Sequence, residues 1–254
     1  MTAPAEDPLA AEDAVLYTGV VLYSTQDPEA TSLLVRGGVI AWIGPEDSPT
    51  AQGAEAIRVD ATGCLITPGF VDCAPTADGS APSEDWRHQA HRRGIVEVVP
   101  GVLGQRDGMR VIAPVTDPAP LRALAAEGTP FAFGSAGDPR AEDPWSWVRA
   151  ASREGDPAER ISDRAAFLAS TRAGHRLAGR AHPGSLTLGV EATFVVWEPW
   201  DLTVHSGDEH TNAWSVDPRS FTPMLPDLSS GAPRALRTVI DGRIVHDEMG
   251  AAGR

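Results

Sequence analysis

Two histidines, His88 and His91, stand three residues apart in the run Trp86-Arg-His-Gln-Ala-His-Arg-Arg93. On a helix that spacing puts both imidazoles on one face. With a third ligand from Glu84, Asp85 or Asp72 they could hold a divalent metal. The run is otherwise polar, so a solvated helix face is the plainer reading. A second cluster, His205, Asp208, Glu209 and His210, could also bind a metal, but an exposed acidic loop explains it more simply. His175 reads as a packing or capping residue, and His246 as a solvated edge residue on the last strand. Cys73 adjoins Asp72 but has no neighbouring histidine to draw out its proton. No Gly-x-Ser-x-Gly elbow is present. Trp145, Trp147, Trp197, Trp200 and Trp214 could line an apolar pocket; packing anchors are the commoner role.

Composition narrows the chemistry further. The 254 residues suit one large domain or two small ones. All 21 basic residues are arginine, set against 35 acidic ones, for a net charge of −14. Such a chain lacks the basic surface a nonspecific phosphate-backbone binder needs, so no nucleic-acid partner is expected. Without lysine it has no Schiff-base amine, no phosphate-loop lysine and no lysine-derived metal bridge. Two cysteines, Cys64 and Cys73, exclude a disulfide scaffold and a four-cysteine zinc site. They read as buried free thiols. The N-terminus has no basic region followed by an apolar stretch, and no apolar run reaches membrane-spanning length. These features point to a cytoplasmic protein with no membrane partner.

The elements that must position these residues change character twice. Residues 1–13 read as a mobile N-terminus. Strand signals follow at 15–17, 20–23, 32–36 and 39–43, the last two joined by Gly37-Gly38, a hairpin turn. Residues 55–60 alternate as a half-buried strand does. After Asp72 the pattern becomes βα-like: a helix over 84–93, a strand over 95–99, and a helix over 118–127 with Asp117 as its N-cap. A strand over 131–134 and helices over 144–152 and 162–173 follow. Strands return at 192–197 and in a hairpin over 236–246 around Asp241-Gly242. The fold class predicted is α/β plus β: a discontinuous β-sandwich, residues 14–66 and 184–254, interrupted by an α/β segment over 67–183. Its two halves must meet, which brings residues 67 and 183 close together.

Several of these runs resemble the amidohydrolase superfamily. They are Leu33–Gly44, Thr62–Asp72 with its Pro-Gly-Phe-x-Asp, Gly184–Trp197 and Thr238–Val245. Asp217–Leu228 is similar to the subgroup containing N-substituted formamide deformylases. The resemblance implies a β-sandwich, or composite domain, carrying a metal-dependent (β/α)8 barrel. In that family two histidines of an Asp-x-His-x-His after the first barrel strand hold a divalent metal. The metal lowers the pKa of a bound water, and an aspartate after the eighth strand acts as general base. Here Ala74 and Thr76 stand at the histidine positions. Phe131–Ser135 matches the eighth strand, but Ala136 stands at the aspartate position, with Asp138 two residues on. The segment 67–183 also holds only three or four βα units at about 30 residues each, whereas a full barrel takes about 250. The insert is therefore expected to be a truncated barrel remnant.

By resemblance the chain is a hydrolase of carbon–nitrogen bonds other than peptide bonds, expected to have little or no activity and no cofactor. In that case it is either a non-catalytic binding partner, self-associating or joining a full-length homologue, or a decaying gene product. The alternative is an active hydrolase with a rebuilt site. There Asp72 and Asp138 are catalytic, and His88 and His91 hold a divalent metal such as zinc.

Overall fold

The structure, a computed structural model, describes residues 14–24, 27, 29–181, 184–203 and 223–249. The N-terminal strands are β1 (Val15–Thr18), β2 (Val21–Leu22), β3 (Ser32–Arg36), β4 (Val39–Gly44), β5 (Ile57–Asp60) and β6 (Leu65–Thr67). A short helix, α1 (Pro49–Gln52), precedes β5. Gly37 and Gly38 take the left-handed φ of +58° and +75° that the predicted turn between β3 and β4 requires. Strands β4, β3, β1 and β5 form a four-stranded sheet in that order. The predicted half-buried strand at 55–60 is instead an exposed edge: β5 pairs only with β1, and Ile57 is 45% exposed.

The middle of the chain supplies β7 (Phe70–Asp72), α2 (Glu84–Arg92), β8 (Ile95–Val98), β9 (Gly104–Arg106), β10 (Met109–Ile112), α3 (Leu121–Ala126), β11 (Phe131–Phe133), α4 (Pro144–Ser152), α5 (Asp163–Ser170) and α6 (Arg172–Leu177). Ser83 caps α2 by accepting from the Trp86 N–H, with Glu84 and Asp85 in the first turn against the positive helix end. Strands β7 and β8 pair in parallel, as do β10 and β11; β9 joins β10 as an antiparallel hairpin. Two expectations fail here for backbone reasons. Helix α3 starts at Leu121 with no side-chain cap, because Pro118 and Pro120 lack N–H groups and Pro120 biases Ala119 towards extended backbone. Asp117 is not its N-cap; its N–H closes a turn onto the Ala113 carbonyl at 2.8 Å. The helix expected over 162–173 breaks at Thr171 (φ −124°, ψ −83°) into α5 and α6.

The chain returns through β12 (Phe194–Trp197), β13 (Leu202–Thr203), β14 (Leu225–Pro226), β15 (Ala235–Ile240) and β16 (Arg243–Asp247). A five-stranded sheet, ordered β16-β15-β12-β6-β2, takes its strands from both ends of the chain. Residue 67 pairs with Val195; Pro183 lies outside the described residues.

This sheet is the middle layer, which explains the unbroken apolar run of β12. From β12, Phe194 and Val196 pack with Tyr17, Leu33 and Ile40 of the four-stranded sheet. Val195 and Trp197 point the other way, into a core with Phe70, Trp145, Trp147 and Phe167. A strand buried on both faces reads as a continuous apolar run rather than an alternation. Phe70 is the hub of that second core. Its ring meets Trp145, Phe167, Trp197 and Trp147 edge-on, with centroids 4.9, 5.4, 5.9 and 6.2 Å away. Three tryptophans are thus packing anchors. Trp200 donates to the Asp227 carbonyl at 2.9 Å, and Trp214 lies outside the described residues.

Candidate functional site

Asp72 ends β7, and β11 is brought against it by main-chain bonds. The Cys73 N–H donates to the Phe133 carbonyl at 3.1 Å, and the Ala136 N–H to the Ala74 carbonyl at 2.8 Å. Gly134 permits this approach, since a Cβ there would lie 2.6 Å from the Ala74 nitrogen. The parallel strands therefore run β8, β7, β11, β10 across the structure, with their C-terminal ends together. In α/β architectures that end is where ligand and catalytic groups gather.

The Asp72 carboxylate is fully buried there. Oδ1 accepts from the Ala74 and Ser135 N–H groups, each at 3.0 Å, and Oδ2 accepts from the Ser135 hydroxyl at 2.6 Å. Burial pushes the carboxyl above the usual carboxylate range; the bonds from Ser135 and Ala74 pull the other way. The Ser135 oxygen also accepts from the Gly137 N–H at 3.2 Å. This arrangement stitches two strand ends together and leaves no face of the carboxylate open to water. The Ala74 side chain is buried and carries no metal-ligating atom, and the Thr76 hydroxyl donates to the Ser80 carbonyl at 2.8 Å. Ala136, at φ +54°, contributes backbone alone. Burial pushes the Cys73 thiol up as well, the neighbouring Asp72 charge adding to it.

The other candidates lie apart from this centre. Asp138 caps a short 3-10 turn, and both its oxygens engage Arg140 at 2.8–3.1 Å, which holds its carboxyl below the usual range. His88 and His91 do share a face of α2, with ring centroids 6.5 Å apart. Their helix ends beside Phe70, whose N–H donates to the Gly94 carbonyl, so the pair sits at the opposite end of β7 from Asp72. Partial burial, then the nearby His88, Arg87 and His246, hold the His91 imidazole below its ordinary pKa. Glu84 and Asp85 are exposed on the first turn of α2.

His175 is buried, as a packing residue is. His246 lies on the edge strand β16 as expected but is not solvated: its side chain is 7% exposed and Nε2 lies 3.3 Å from the Ala235 carbonyl, because α2 packs over the last hairpin. His205, Asp208, Glu209 and His210 lie outside the described residues. Among the described residues no three His, Cys, Asp or Glu side chains are grouped to hold a metal ion. No helix among them is long and apolar enough to cross a membrane.

Two residues at this end escaped the sequence reading. Ser135 is the side-chain partner of Asp72. Arg106, on β9, donates to main-chain carbonyls at the ends of β7 and β8. The Asp107-Gly108 pair was the available signal for its hairpin; the two residues take φ of +46° and +75°.

No family model matches the chain. It is similar to an imidazolonepropionase of Paracoccus denitrificans, 49% identical over 45 residues, or 18% of this chain and 11% of that enzyme. A second, from Deinococcus radiodurans, is 33% identical over 126 residues, or 43% of this chain and 30% of that enzyme. The chain thus matches less than a third of the length of either. Among solved structures, an enamidase described as a member of the amidohydrolase superfamily aligns with a TM-score of 0.57 at 13% identity, over 95% of this chain and 98% of that one. A triazine hydrolase from Arthrobacter aurescens aligns at 0.60 and 13%, over 94% and 96%. An atrazine chlorohydrolase of Arthrobacter aurescens TC1, complexed with zinc, aligns at 0.57 and 12%, over 92% and 96%. The chain shares the fold of these hydrolases, among them the enamidase described as a member of the amidohydrolase superfamily.

Proposed function

We propose that this chain keeps the amidohydrolase scaffold without its metal-dependent hydrolysis and acts as a non-catalytic partner, self-associating or joining a full-length homologue. The observation that carries this reading is the Asp72 carboxylate: closed to water and occupied by three donors, with Ala74 and Ala136, whose side chains offer no metal ligand, beside it. A water-activating centre needs ligands with free lone pairs and an open position; neither is available around Asp72. The strand order β8, β7, β11, β10 supports a truncated barrel. It suits the first two and last two strands of an eight-stranded ring, joined where the ring would close. Such a remnant leaves sheet edges that favour association.

A second reading, retained hydrolysis, is favoured by the likeness to two imidazolonepropionases. It would use Asp72 and Asp138, with His88 and His91 on a metal, and imidazolonepropionate is the substrate to try. Metal analysis of protein purified without chelator distinguishes the two. Less than about a tenth of an equivalent of zinc, iron or manganese is expected, with no turnover of imidazolonepropionate when those metals are added. Near one equivalent, lost on His88→Ala or His91→Ala, would sink the non-catalytic reading. Sedimentation should show a dimer or larger species, and a monodisperse monomer would count against self-association.

A further inference from the structure

The C-terminal ends of the parallel strands are covered by three loops in mutual contact. A Cβ on Gly79 would lie 2.9 Å from the Val102 side chain and 3.0 Å from the Gly101 main chain; one on Gly137 would lie 3.2 Å from Ala77 and Thr76. Arg106 fastens the middle loop. Its Nη1 donates to the Cys73 carbonyl at 2.7 Å and, at 3.5 Å, to that of Val99; its Nη2 donates to the Pro100 carbonyl at 2.9 Å. Cys73 follows β7 directly, and Val99 and Pro100 follow β8. One planar guanidinium, with donors in a fixed fork, thus spans two strand ends. Gly101 lies flat against it at φ +145°. A Cβ there would come within 2.5 Å of the Arg106 Cζ, so only glycine lets the loop close on the guanidinium. Beneath this cover, Asp72, Cys73, Ala74 and Ser135 are at most 3% exposed.

We propose that Arg106 is a latch: it holds residues 99–103 as a strap across the strand ends, and releasing it opens that end of the molecule to solvent. All its acceptors are main-chain carbonyls; the bonds to Cys73 and Val99 are half-buried and the bond to Pro100 is exposed. Opening therefore needs only a few partly exposed hydrogen bonds to exchange with water, the kind of local event that precedes global unfolding. The idea does not depend on the non-catalytic reading, since the same strap would gate a site or seal a lost one.

The chain carries its own reporter and control. Cys73 lies under the latch, while Cys64 is buried in the other core, with Ile66 and Phe194. In the native protein, in mildly alkaline buffer, both thiols should react slowly with a maleimide followed by mass spectrometry. In Arg106→Ala, Cys73 should react about tenfold faster, with Cys64 unchanged. Gly101→Ala, which forces the strap off the guanidinium from the other side, should do the same. Arg106→Lys, a charge without the fork, should fall between parent and Arg106→Ala. An unchanged Cys73 rate in both variants would overturn the latch. So would equal acceleration of both cysteines in both, since that reports general unfolding.

Discussion

Phe70→Ala should lower stability by about 4 kcal/mol, within the range for emptying a buried aromatic site, and should make unfolding stepwise. Four rings face Phe70: Trp145 and Trp147 from α4, Phe167 from α5, and Trp197 from the five-stranded sheet. Trp145 and Trp197 also pack on each other at 5.2 Å. Truncation therefore empties the joint between the α/β segment and the β layers, not a cavity inside one of them. Trp197 is partly held by its indole bond to the Thr67 hydroxyl at 2.8 Å. At about 2–4 °C per kcal/mol for a chain of this size, the melting temperature should fall by about 10 °C. Tryptophan fluorescence should change before the β signal in far-ultraviolet circular dichroism, whereas in the parent the two should coincide. Coincident transitions in the variant, or a loss below about 1 kcal/mol, would show that the joint lies elsewhere.

The β layers were legible because their turns require particular residues. Gly37-Gly38 and Asp241-Gly242 take the left-handed conformations expected of them, and β3, β4, β15 and β16 fall on either side. The apolar run at 194–197 announced a strand, but not which core each side chain would enter. That depends on two other layers, and β6 and β12 lie far apart in sequence. Asp107-Gly108 carries the same turn signal, yet β9 and β10 went unread because Gly104–Arg106 lacks the apolar residues that mark a strand. Prolines misled at α3: Asp117-Pro118 looks like a cap and first turn, but Pro120 sets the true start. At the candidate site, the resemblance located Asp72, Ala74, Thr76 and Ala136, while the interactions made by Asp72 were invisible. Ser135 is one of many serines. The acceptors of Arg106 are main-chain carbonyls, which every residue carries and no side-chain pattern betrays.

Asp72 gives the other large effect, and two substitutions separate its roles. Asp72→Ala leaves two buried N–H groups and one hydroxyl without their acceptor. At about 1–3 kcal/mol for each unsatisfied group, and with partial relaxation, the loss should be about 3 kcal/mol. Asparagine keeps an acceptor for the Ala74 and Ser135 N–H groups and can donate to the Ser135 oxygen. Asp72→Asn should therefore stay within about 1 kcal/mol of the parent. The two differ again in their dependence on pH. Because burial raises the folded pKa of Asp72 above the unfolded value of about 3.9, its stabilising contribution is fully present below that value. As pH rises, the unfolded chain ionises first, and this contribution is lost progressively through the raised folded pKa. In Asp72→Asn that decline should vanish, so urea midpoints measured across this interval should be flatter than in the parent, other groups being common to both. If the slope persists in the asparagine variant, the carboxylate titrates alike in the folded and unfolded states. The bonds from Ser135 and Ala74 would then offset the whole effect of burial, and the carboxylate would stay ionised at the strand ends.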